Sequence, residues 1–80
     1  MTEKKIAYTD EFSGTTEKLS AKDVVQKAIG LIEERLLPEA EKTERSEYRN
    51  SLKTLRTAGN NKKLEVANDI LEIANIYRIQ

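Results

Sequence analysis

This 80-residue chain contains no His and no Cys, so its chemistry-bearing side chains are carboxylates, lysines, arginines, tyrosines and hydroxyls. Without His, the commonest general base and metal ligand are missing; without Cys, so are thiolate nucleophiles, disulfides and finger-type zinc sites. Two close carboxylate pairs, Glu33/Glu34 and Glu39/Glu41, are the nearest approach to acid/base or calcium chemistry. The Gly and terminal Glu of an acidic calcium loop are absent, and both pairs fall in a charge-rich segment expected to be exposed. Gly14, Gly30 and Gly59 are isolated, so no Gly-rich phosphate cradle is encoded. A Ser or Thr nucleophile would need a base other than His. The expectation is a non-enzyme that works by binding, with no cofactor, no metal and no small-molecule substrate.

The binding chemistry on offer is cationic. There are 14 bases and 14 acids, and the formal net charge is zero. Their distribution is uneven: residues 45–63 carry a net charge of +5, and the segments on either side are acidic. Arg45, Arg49, Lys53 and Arg56 fall on a single arc when projected as a helix, flanking Tyr48, Leu52 and Leu55, and Lys62 and Lys63 follow. Tyr beside Arg is a combination enriched at interface hot spots, which makes Tyr48 a candidate anchor between Arg45 and Arg49. The competing reading is a solvated face balanced by the Glu-rich segment 33–44. Zero net charge and only four aromatic residues argue against nucleic acid as the partner, leaving an acidic or membrane-associated protein surface ahead of it.

Three helices are needed to position these residues. The first is predicted over Ala21–Leu37, with Ser20 as N-cap and Asp23 in the first turn. Its apolar arc comprises Ala21, Val24, Val25, Ala28, Ile29, Ile32 and Leu36, with Gly30 on the polar side. Pro38 is expected to end it at Leu37. The second helix starts between Glu39 and Glu44 and ends near Ala58, with Gly59 taking a left-handed conformation after it. The third runs from about Lys62 to near the end, with Asn61 as N-cap. Its wide stripe of Leu64, Val66, Ala67, Ile70, Leu71, Ile73, Ala74 and Tyr77 suits a helix packed against two others. Ile76 and Ile79 lie outside the stripe, as frayed tail residues or as a candidate homo-oligomer surface.

Residues 1–19 read as an arm, irregular or a short hairpin, with Ile6, Tyr8 and Phe12 lying over the helices; an isolated hairpin is marginal in water. The predicted architecture is therefore all-α: an antiparallel bundle of three to four helices over residues 20–80, preceded by that arm. No apolar run of signal-peptide or membrane-spanning length is present, and the expected location is the cytoplasm.

Within residues 28–77, the stretches Ala28–Glu39, Ser46–Leu52 and Asn61–Ile70 resemble the small helical immunity proteins of pediocin-like bacteriocin producers. That family has a helix ending near a Leu-x-Pro-Glu-like segment, then a Leu-rich helix, then an Asn-x-x-x-Leu-x-Val-Ala-Asn-type opening of the next. The resemblance implies an antiparallel four-helix bundle that protects the producing cell from inside, against the complex of bacteriocin and membrane receptor. A second expectation is a phage- or plasmid-encoded inhibitor or regulator that binds a host protein or nucleic acid through the same basic ridge.

Overall fold

A computed structural model describes residues 4–79. The chain opens with an antiparallel hairpin, β1 (Ile6–Asp10) and β2 (Thr16–Leu19). Helix α1 (Ala21–Leu31) follows and continues through a π-helical turn (Ile32–Leu36) into a last α-helical turn (Leu37–Glu39). Helices α2 (Lys42–Thr57) and α3 (Asn60–Ile73) lead to a third strand, β3 (Ile76–Arg78). The strands form one antiparallel sheet in the order β2-β1-β3.

The fold is thus α+β, and the all-α bundle expected from the sequence is not formed. A hairpin alone is marginal, but β3, from the other end of the chain, adds a third strand and seats the sheet against helices. Tyr8 pairs with Glu17 on one side and Arg78 on the other. With Ile76 it enters the same buried cluster as Val24, Ala28, Ile32, Leu55, Ala67, Ile70 and Leu71. The Tyr8 hydroxyl donates to Asn68 Oδ1 at 3.0 Å, tying sheet to α3 across 60 residues. Phe12, expected over the helices, sits instead on the solvent-exposed hairpin turn.

Local signals account for several boundaries and miss others. Ser20 accepts from the Asp23 N–H while Asp23 accepts from the Ser20 N–H, a reciprocal capping box. Pro38 does not end the helix. The Leu37 N–H reaches back five residues to the Ile32 carbonyl, and this widened turn admits the proline into a helix that runs on to Glu39. Gly59 has φ −67° and caps the start of α3, so it is not left-handed, and the helix begins at Asn60 without using Asn61 as cap. The left-handed residue is Asn75, φ 61°, which turns the chain from α3 into β3. Ile73 is consequently exposed and Tyr77 lies on a strand, so neither belongs to the buried stripe of α3. The Ile76 side chain is 4% exposed and belongs to the core, so it offers no apolar surface to a second copy, whereas Ile79 remains accessible.

Candidate partner-binding groove

The six bases and Tyr48 named from the sequence differ in their surroundings. Arg45, at the start of α2, donates from Nε to the Ala40 carbonyl at 3.1 Å and so anchors the link from α1. Tyr48 is half-buried and packs against the core cluster. Arg49 and Lys53 are exposed and carry no ion pair among the described residues. Arg56 Nη2 lies 3.1 Å from Glu33 Oε1, so the acidic segment answers one base of the ridge. Lys62 lies 3.8 Å from Glu65 on the next turn of its own helix. Lys63 is half-buried and turns into a groove.

That groove runs between all three helices, has a volume of roughly 600 Å³, and brings Arg56 and Lys63 together with Lys22. Its apolar lining is Val25 and Ile29 from α1, Leu55 from α2 and Leu64 from α3. Leu55 is fully buried and forms part of the core, while Val25, Ile29 and Leu64 remain half-buried. The reason is geometric. The apolar arc of α1 is wider than the strip its neighbours cover, so Val24, Ala28 and Ile32 are buried and the adjoining Val25 and Ile29 face the opening. Three bases line the groove and no carboxylate does. A ligand there meets cationic groups over an apolar floor, next to low-dielectric protein that strengthens each charge relative to open solvent.

Lys22 is the functional candidate that sequence reasoning passed over. It sits in the first turn of α1, in a segment whose net charge is negative, and segment averaging hides it. Its spacing was informative: Lys22, Gln26 and Ile29 follow i, i+4, i+7 along the edge of the apolar arc, and all three line the groove.

On the sheet side of α1 two charges are occupied. Lys27 Nζ lies 2.9 Å from Glu17 Oε2 and clips α1 to β2. Asp10 closes the hairpin turn by accepting from the Phe12 and Ser13 N–H groups. Desolvation opposes ionisation of Asp10, but those N–H groups, the Ser13 hydroxyl and Arg35 outweigh it and hold the carboxyl below its ordinary value. Among the described residues no group of three or more acidic side chains is placed to hold a metal ion, and no helix is long and apolar enough to cross a membrane. No protein-family model, curated protein or solved structure matches the chain.

Proposed function

We propose that this is a non-catalytic binding protein that seats an acidic, apolar-faced segment of a protein partner in the groove between α1, α2 and α3. Lys22, Arg56 and Lys63 meet the carboxylates, and Arg49 and Lys53 extend the cationic surface along α2. The observation that carries this reading is the lining itself: three bases over Val25, Ile29, Leu55 and Leu64 with no acid among them. The apolar floor favours protein over nucleic acid, because no aromatic side chain lines it to stack a base. Protection against a bacteriocin, exerted in the cytoplasm, is the biological setting suggested by the resemblance over residues 28–77. It rests on that resemblance alone, since the four-helix fold the resemblance implies is not the fold observed. Inhibition of a host protein by a phage- or plasmid-encoded factor uses the same groove.

The test titrates isotope-labelled protein with an acidic amphipathic helical peptide and with its Lys-substituted counterpart. Shifts confined to Lys22, Val25, Ile29, Lys63 and Leu64 for the acidic peptide only, weakening with salt, are expected. The paired reversal Lys22→Glu/Lys63→Glu is expected to lower affinity at least tenfold with helicity unchanged. Equal response to both peptides, or shifts away from the groove, would refute the assignment. In a bacteriocin challenge, full protection by the reversed variant would remove the groove from that function.

A further inference from the structure

Among the described residues four large apolar side chains are exposed, and two of them, Tyr77 and Ile79, lie on the outer face of the sheet at its open edge. Phe12, Ile73, Tyr77 and Ile79 are 82%, 53%, 38% and 46% exposed. Three of them lie within or beside β3. The fourth sits on the hairpin turn, which is joined to the foot of β3 by the bond from the Glu11 N–H to the Asn75 carbonyl, 3.0 Å.

Among the described residues no strand pairs with β3 on that side. Asn75, Tyr77 and Ile79 lie opposite Glu11, Thr9 and Ala7, and the Ile79 N–H reaches the Ala7 carbonyl at 2.9 Å. In an antiparallel ladder the alternate residues then point the other way, so the N–H and C=O groups of Ile76 and Arg78 face the open edge. The opposite edge, β2, presents Thr16 and Lys18 on the outer face and Glu17 on the inner one, the kind of charged edge that resists strand addition.

We infer that β3 is a self-association edge, pairing antiparallel with β3 of a second copy about a two-fold axis at Tyr77. This register matches Ile76 of each copy with Arg78 of the other and satisfies all the outward groups of both strands with four backbone hydrogen bonds. Alternatives are worse. Centring the axis on Arg78 sets two like charges directly opposite, and centring it on Ile76 requires Ala74, which ends α3, to act as strand. At Tyr77 the two rings meet on the outer face as a non-hydrogen-bonded pair, where side chains approach most closely. The product is a closed six-stranded sheet bounded by the two charged β2 edges, which stops growth at two copies.

The area sets the strength. Tyr77 and Ile79, the two exposed apolar side chains that this pairing brings to the seam, expose about 170 Å² per copy, taking about 200 Å² for a large apolar residue. That is well below the ~1,200–2,000 Å² of stable complexes. The dimer is therefore weak and forms only at high protein concentration.

The absence of Cys makes the geometry directly testable. Across a non-hydrogen-bonded pair, Cα atoms lie about 4.5 Å apart, within disulfide range. Under mild oxidation, Tyr77→Cys is expected to give a disulfide-linked dimer at least tenfold faster than Lys18→Cys on the β2 edge. Sedimentation of the unmodified chain is expected to move from monomer toward dimer as concentration rises to about 1 mM. Two variants are expected to remain monomeric with unchanged circular dichroism. Arg78→Pro removes an outward N–H, with Arg78→Ala as the control for the lost guanidinium near Tyr8, and Tyr77→Lys faces a charge with its own copy. A monomer at every concentration, a dimer that survives both variants, or equal cross-linking at the two edges would overturn the inference.

Discussion

Helix α1 has two flanks, and its surroundings treat charge in opposite ways on each. On the sheet flank Lys27 meets Glu17, and Asp10 is held by turn N–H groups and faces Arg35. On the groove flank Lys22 joins Arg56 and Lys63 over an apolar floor, and only Arg56 reaches an acid, Glu33. The first arrangement fixes where the hairpin sits on the helix. The second leaves Lys22 and Lys63 without an ion pair among the described residues, and the proposed binding of an acidic partner rests on that arrangement. Charge alone does not separate the two flanks; the presence or absence of a partner within reach does.

The comparison is broken most severely at Leu55, which belongs to both core and groove floor. Leu55→Ala is expected to cost about 2–5 kcal/mol in urea denaturation, and Val25→Ala, only half-buried, much less. Equal losses would mean that the groove is closed core. Next comes the sheet-to-helix tie: Tyr8→Phe leaves Asn68 without its donor and is expected to cost about 1 kcal/mol. A Tyr8→Phe/Asn68→Ala cycle with no coupling energy would show that the bond contributes nothing.

The two lysines of α1 sharpen the contrast at smaller magnitude. Lys27→Ala is expected to cost no more than about 1 kcal/mol, since its pair with Glu17 is largely solvent-accessible, and the loss shrinks in high salt. Lys22→Ala is expected to be close to neutral, because Lys22 is exposed and makes no ion pair among the described residues. A loss at Lys22 equal to that at Lys27 would erase the distinction. The smallest effects are read against pH. Asp10 is held below 3.8, so its contribution is present above that value and is lost as pH falls through the folded pKa. Burial pushes the Tyr8 phenol above 10.0, with Arg78 only partly offsetting it. Its contribution is complete below pH 10.0 and is lost as pH rises through the folded value. Denaturation midpoints of Asp10→Asn and Tyr8→Phe against pH check both signs.

Much of the helical layer was legible because its signals are local. Ser20 and Asp23 lie three residues apart, and Val24, Ala28 and Ile32 repeat every fourth residue. Pro38 misled because a rule about one residue takes no account of a neighbouring turn widening to admit it. Ile76–Arg78 misled because an apolar count over a short run does not distinguish helix from strand, and the strand exists only where β1 is there to receive it. Of the site, Arg56 and Lys63 were found through their place in a basic segment. Lys22 was hidden by the acids around it, while Arg45 bonds the Ala40 carbonyl and Tyr48 packs against the core, contacts that residue spacing does not reveal.

The sequence by itself determined that His and Cys are absent, where its helices carry apolar stripes, and that its positive charge is concentrated in residues 45–63. Those properties follow from residue types and from neighbours three or four positions apart. Tertiary structure alone decided that the arm becomes part of a sheet, that Lys22 meets Arg56 and Lys63, and that the charged edge of that sheet is β2 and the apolar one β3. Those are pairings between distant segments, such as Tyr8 with Asn68 across 60 residues, and no local periodicity encodes them.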